Sequence, residues 1–295
     1  MPAGHARIVV ESGSPALLER ALAEAFAAGA LGGEEREGAA PALWIYVRAE
    51  DAARVREAVC AVPGLACGAP EAVPERAWSE AWKEGIEPVV ISERLLVRPS
   101  FRAAPAGFAG RELVIEPGQA FGTGGHASTR LALAAIDALP ARCLRGARAL
   151  DVGCGSGVLA LAALALGAAQ ALACDVDPLA TAAAREAAAA NGFSGRLALF
   201  TGSLDALGPG AEAGFALVVA NLLRRELEPL LPALVRLLAP GARLVLSGLL
   251  AGEREILARA LGGLGIEVLC EHRASDPNGD AWIALQARGP GGGGI

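Results

Sequence analysis

The sequence predicts an α/β protein in two parts: a doubly wound, mostly parallel, seven-stranded sheet preceded by a small ferredoxin-like α+β domain. Three observations carry this. From Arg148 onward, short apolar runs alternate with helical stretches, the pattern of a parallel sheet covered by helices on both faces. The first seventy residues follow instead the order strand–helix–strand–strand–helix–strand, a split βαβ unit. Glycines crowd the end of the first strand of the larger part, in LDVGCGSG from Leu150 to Gly157, where a strand must reverse into a helix with little room for side chains.

In the first domain, expected over residues 1–70, Arg7–Glu11 reads as a strand. Ser14 caps a helix through Ala28, with Pro15 at its first position. A weak strand follows near Ala30, and the tract GGEEREGAAP, Gly32 to Pro41, reads as a hairpin loop. Leu43–Arg48 is the clearest strand, and Asp51 caps a second helix to Ala61, stopped by Val62-Pro63-Gly64. A linker is expected over 71–100. Its stretch PERAWSEAWKE places Trp78 and Trp82 at i,i+4 on one helix face, and the runs VVISERLLVRP and RELVIEPG then lead into the larger domain as short strands.

The larger domain is expected over 101–289. Its strands are ARALDV, AQALACD, RLALFTG, FALVVAN, ARLVLSGL, GIEVLCEHRA and DAWIALQARG. The helices between them are Ser156–Leu166, Pro178–Asn191, Glu226–Leu238 and Glu253–Leu264. Asp276-Pro277-Asn278-Gly279 is a hairpin signal that makes the end of the sheet antiparallel. The glycine-rich residues 290–295 read as a disordered tail.

Composition narrows the function classes. Net charge is −6, which argues against a broad nucleic-acid surface. The six cysteines contain no C-x-x-C pair and no histidine at ligand spacing from such a pair, so no metal site is expected and the thiols read as those of a reduced, cytoplasmic protein. The N-terminus MPAGHARIVVESGSP lacks an apolar signal core. Val152 to Cys174 runs 23 residues without a charge, long enough to span a bilayer. Its glycine-rich start, its flanking Asp151 and Asp175 and its lack of a basic flank favour a buried strand, helix and second strand instead.

The glycine turn places free main-chain amides of a helix N-terminus beside a crevice. It is not a dinucleotide fingerprint. G-x-G-x-x-G counted from Gly153 requires glycine where Val158 stands, and counted from Gly155 requires it at Ala160. It is not a P-loop, because no lysine is near. Asp175 ends the second strand, 22 residues beyond Gly153, where a carboxylate accepts hydrogen bonds from both hydroxyls of a ribose. That chemistry serves nicotinamide dinucleotides and S-adenosylmethionine alike. Asp177 reads as the N-cap before Pro178, and Asn221 ends the fourth strand at the ligand crevice of such sheets. His126, in AFGTGGHASTR, reads either as a cap for the helix that follows or as a general base.

The G-x-G-x-G spacing after Asp151 resembles motif I of class I S-adenosylmethionine-dependent methyltransferases. Together, EPGQAFGTGGHASTRLAL, LDVGCGSGVLALAALALGA, CDVDPLA, VVANLL and LVLSGLL resemble, in this order, the family of methyltransferases acting on the large-subunit ribosomal protein L-eleven. The resemblance runs from about Ala77 to Gly289, with AFGTGGH its most specific part. It implies a Rossmann-like methyltransferase sheet and transfer of methyl groups from S-adenosylmethionine to lysine side chains and the N-terminal amine of that protein, up to trimethylation. It also implies that the N-terminal domain docks the substrate protein, and a monomer needing neither nucleic acid nor membrane is expected. By the family's pattern Thr129, Gly153, Asp175 and Asn221 contact S-adenosylmethionine. Gly155 belongs to the same turn, and Phe121, Gly122 and Thr123 belong to a flap that closes over its methionine end. Asn221 orients the amine, and His126 is the alternative catalytic group. ANLL at 220–223 departs from the Asn/Asp-Pro-Pro-aromatic signature of enzymes that methylate adenine or glutamine. Ser128 stands where threonine is common in the family and Ala127 where proline is frequent.

Competing readings are a class I methyltransferase for another protein or small-molecule amine, an RNA- or ribosome-associated binding protein, and a nicotinamide dehydrogenase. The first domain shows no aromatic–basic RNA-binding run, and the failed dinucleotide fingerprint disfavours the last.

Overall fold

The structure, a computed structural model, describes residues 4–12, 14–36, 42–73, 83, 85–118, 121–208, 214–276, 279–289 and 291. The expected helix with Trp78 and Trp82, the Pro277-Asn278 centre of the hairpin turn and the expected tail, Gly291 apart, lie outside the described residues. The chain forms two compact units, Met1–Ile86 and Glu87–Ile295.

In the first unit, β1 (His5–Glu11), α1 (Pro15–Ala27), β2 (Gly32–Arg36), β3 (Ala42–Arg48), α2 (Ala52–Cys60), β4 (Ala66–Cys67) and β5 (Glu71–Val73) follow one another. The sheet order is β2-β3-β1-β4, with β5 also pairing to β1, and all pairs are antiparallel. This is the ferredoxin-like arrangement. Alternate residues of β1 (Ala6, Ile8, Val10) and β3 (Leu43, Ile45, Val47) are buried against Leu18, Ala21 and Ala25 of α1 and Val55 and Val59 of α2, so strand period two meets helix period 3.6 across one core.

The hairpin loop expected from Gly32 to Pro41 is in part a strand. Residues 32–36 form β2 and not a loop, in register with β3 from Gly32↔Tyr46 to Arg36↔Ala42. An edge strand needs no apolar alternation. A Cβ at Gly33 would come within 2.3 Å of Leu22 Cδ1, so close approach of α1 replaces the missing apolar signal. Across the pair, the Tyr46 hydroxyl donates to Glu34 Oε2 at 2.9 Å.

The second unit opens with a three-stranded sheet of β6 (Val89–Val90), β7 (Leu95–Arg98) and β8 (Arg111–Val114). Then come α3 (Ala127–Asp137), α4 (Ala141–Leu144), β9 (Arg148–Val152), α5 (Val158–Ala165), β10 (Gln170–Asp175), α6 (Pro178–Ala190), β11 (Leu197–Thr201) and β12 (Phe215–Asn221). The chain finishes with α7 (Arg224–Leu227), α8 (Leu231–Leu237), β13 (Leu238–Leu250), α9 (Arg254–Gly263), β14 (Glu267–Ser275) and β15 (Ala281–Arg288). The seven strands lie in the order β11-β10-β9-β12-β13-β15-β14, and β15 alone runs antiparallel to its neighbours. The chain winds away from β9 in both directions, so β9 and β12 flank the switch point where a crevice opens at the strand carboxyl ends.

Each face of the sheet carries its own core. Helix α5 is buried from Val158 through Leu164, which accounts for the uncharged run between Asp151 and Asp175. Among the described residues no helix is long and apolar enough to cross a membrane. The single helix expected over Glu226–Leu238 is instead α7, a 3-10 turn at Glu228–Leu230 and α8, which ends at Leu237. Pro229 and Pro232 each remove a main-chain donor and begin a new helical segment.

Candidate active site

At the carboxyl ends of β9, β10 and β12 lies a cleft of about 770 Å³. Gly153, Gly155, Asp175 and Asn221 line it, with Phe121, His126, Leu222, Glu226 and Trp282, and the Trp282 ring packs against His126. Gly122, Thr123 and Thr129 do not line it.

The turn after β9 is built for close contact. Gly155 has φ +53°, and a Cβ there would lie 2.3 Å from the Phe121 carbonyl oxygen. That proximity is what seats the flap. Ser156 N donates to Phe121 O at 2.8 Å, and Ser156 Oγ donates to Gly122 O at 2.7 Å. Gly122 thus acts through its carbonyl.

Asp175 braces the same turn. Its Oδ2 accepts from Gly155 N at 2.9 Å and its Oδ1 from Asp177 N at 3.0 Å. Each oxygen keeps a further lone pair for a ligand hydroxyl. Asp177 in turn caps α6 by accepting from Leu179 N at 2.8 Å.

Asn221 and Thr129, 92 residues apart, meet beside the cleft. Asn221 Nδ2 donates to Thr129 Oγ1 at 3.3 Å, and Thr129 is buried. Asn221 Oδ1 is buried and has no protein partner. A buried acceptor without a donor costs roughly 1–3 kcal/mol.

The sequence model of the family described as "Ribosomal protein L11 methyltransferase (PrmA)" matches residues 42–288. The chain belongs to the ribosomal protein L11 methyltransferase family. A member from Sorangium cellulosum is 39% identical over 264 residues, 82% of this chain and 81% of its own length. One from Trichlorobacter lovleyi is 40% identical over 213 residues, 70% of this chain and 68% of its own. The crystal structure of the ribosomal protein L11 methylase from Lactobacillus delbrueckii subsp. bulgaricus superposes with a TM-score of 0.60 at 31% identity, covering 69% of this chain and 99% of that one. The chain is therefore a class I S-adenosylmethionine-dependent methyltransferase.

In this methyltransferase His126 is the N-cap of α3. Its Nδ1 accepts from Ser128 N at 3.2 Å and lies 2.8 Å from Ser128 Oγ. Its ring stands 4.8 Å from Trp282, edge to face, and 5.5 Å from Phe121. With Nδ1 engaged in capping, His126→Ala is expected to lower stability by about 1 kcal/mol while methyl transfer stays within about tenfold of wild type. His126→Asn, which retains a capping oxygen, restores the stability. A loss of turnover beyond a hundredfold at unchanged cofactor affinity would instead make His126 a base.

Asp151, at the end of β9, is buried beneath the turn. Its Oδ2 accepts from Ala160 N at 3.0 Å, and its Oδ1 has no partner. Burial raises its carboxyl to about 7 from 3.8, opposed by the Ala160 hydrogen bond and reinforced by the Asp175 charge. Between those two values the folded state holds a proton that the unfolded chain has released, so stability falls as pH rises through this window. Asp151→Asn is expected to remove that slope, a difference on the order of a few kcal/mol between about pH 4 and pH 8, measurable from urea midpoints. Equal slopes in both proteins would rule it out.

Trp282 and Glu226 line the cleft with no signal in the local sequence, whereas Leu222 lies in the ANLL segment that the sequence already placed there. Trp282 reaches the cleft from β15, held by its Nε1 donating to Asp276 Oδ2 at 3.0 Å, and no local pattern signals that approach. Ser247, inside the quoted LVLSGLL, is buried and donates to Ser128 O at 2.8 Å, fastening α3 to β13. A polar residue within an otherwise apolar strand is the available clue.

Proposed function

We propose that this enzyme methylates amines of ribosomal protein L11, lysine side chains and the N-terminal amine among them, and that the cleft holds both S-adenosylmethionine and the incoming amine. The observation that carries this is Asn221 Oδ1, a buried acceptor without a donor in the cleft of a methyltransferase. The residues fit the cofactor: a carboxylate for ribose hydroxyls at Asp175, and glycines whose Cβ atoms would crowd neighbouring groups at Gly153 and Gly155. S-adenosylmethionine supplies an electrophilic methyl on a good, neutral leaving group, so the protein's task is chiefly positioning.

The acceptor must arrive as a free amine. A lysine in water is neutral only about one time in a thousand at pH 7.4. The apolar walls at Leu222, Phe121 and Trp282 disfavour the charged form. Asn221, its amide held by Thr129, accepts an N–H and turns the nitrogen lone pair toward the methyl. Asp151 is buried outside the cleft lining, His126 is engaged as a cap and Asp175 braces the glycine turn, so the released proton passes to water, with Glu226 the other carboxylate among the described lining residues.

The test is incubation with labelled S-adenosylmethionine and ribosomal proteins from cells lacking the enzyme, followed by mass spectrometry. Label on amines of L11 is the expected result. Label confined to another protein or a small molecule would overturn the substrate assignment.

A further inference from the structure

Away from the cleft, three donor side chains meet on the outer two strands of the seven-stranded sheet. Cys270 and His272 are two residues apart on the edge strand β14, so both leave the same face. Gln286 of β15 is the cross-strand partner of Cys270, which brings its side chain to that face too. Cys270 Sγ lies 3.2 Å from Gln286 Oε1 and 3.8 Å from His272 Nε2, and Gln286 Nε2 lies 3.4 Å from the same histidine nitrogen. Gln286 is buried, and its Nε2 donates to the Ala135 carbonyl of α3 at 2.5 Å. That bond holds the amide with its oxygen toward Cys270.

Zinc bonds to sulfur, nitrogen and oxygen at about 2.0–2.3 Å in tetrahedral geometry, which spaces its donors about 3.4–3.6 Å apart. The sulfur–nitrogen and sulfur–oxygen separations here are within a few tenths of an ångström of that spacing. We propose that Cys270, His272 and the side-chain oxygen of Gln286 form a site for one Zn²⁺-class cation, with its remaining position open to water. No C-x-x-C pair marks it, because the ligands are a Cys-x-His step on one strand and an amide from the next. Among the described residues no three His, Cys, Asp or Glu side chains gather as a metal site. The third donor here is a neutral amide, so the site is an exchangeable one, weaker than a closed structural site. Cys270 is exposed, which gives the ion access. On binding, the thiol S–H bond breaks, its proton goes to buffer, and the thiolate–metal bond replaces the thiol's hydrogen bond to Gln286. The bound ion then links β14, through Gln286, to α3, whose first turn carries Ser128 and Thr129.

The test is a Co²⁺ titration of the reduced full-length protein carrying Cys60→Ser and Cys67→Ser, which removes the thiol pair that hydrogen-bonds in the first unit. A thiolate-to-cobalt charge-transfer absorbance saturating at one equivalent is expected. It should disappear in Cys270→Ser, weaken at least about tenfold in affinity in His272→Ala, and persist in Cys143→Ser. Unchanged S-adenosylmethionine affinity certifies that each variant is folded. No charge-transfer absorbance at high micromolar metal, or absorbance that survives Cys270→Ser, would overturn the proposal.

Discussion

Asp175→Ala is expected to weaken S-adenosylmethionine binding about a hundredfold or more. A carboxylate that takes both ribose hydroxyls contributes hydrogen bonds of about 1.5–3 kcal/mol each, and 1.4 kcal/mol is a factor of ten. The same carboxylate accepts from Gly155 N and Asp177 N, so its removal also frees two donors and loosens the glycine turn. This dual role makes the conservative change informative. Asp175→Asn must point its amide NH₂ at one of two main-chain N–H groups, so it is expected to restore little of the affinity. Titration calorimetry reads both variants. An unchanged dissociation constant in Asp175→Ala would sink the ribose assignment, and full rescue by asparagine would show that the brace on the turn does not matter.

Gly155→Ala is expected to be the most damaging single methyl group in the cleft. Its Cβ would sit 2.3 Å from the Phe121 carbonyl oxygen and 3.2 Å from the Phe121 carbonyl carbon, main-chain atoms that no rotamer change can move. The left-handed backbone adds about 1–2 kcal/mol. Relief requires lifting the flap, which breaks the Ser156 N to Phe121 O bond. Gly146→Ala is the matched control: φ is +73°, and nothing lies within 4 Å of the added carbon. The control is expected to lose only the backbone cost and to bind cofactor normally, whereas Gly155→Ala loses several kcal/mol in total together with most of its cofactor affinity. Urea unfolding and calorimetry on the pair separate the two causes. Equal losses in both variants would mean that the flap contact contributes nothing.

Much of this molecule is written locally in the chain. The seven strands of the larger unit, the split βαβ pattern of the first and the glycine turn with its aspartates follow from period-two and period-3.6 patterning and from chain-adjacent motifs. Each is decided by residues within a few positions of one another. The failures have the same origin. Strand β2 carries no apolar alternation, because Gly33 yields its space to Leu22 of α1, a neighbour in space and not in sequence. The helix after Asn221 breaks at prolines that, taken as apolar positions, extend the helical period.

The sequence by itself determined the fold class, the glycine turn after the first strand of the larger sheet and the family to which the chain belongs. Tertiary structure alone decided how the cleft is assembled. Thr129 holds Asn221, His126 spends its Nδ1 on a helix cap, Trp282 arrives from the antiparallel strand, and Cys270, His272 and Gln286 converge at the sheet edge. The physical reason is range: backbone propensity and amphipathic period act over one or two turns of chain, while the direction of a side chain in a cleft is set by packing partners that only the completed sheet brings within reach.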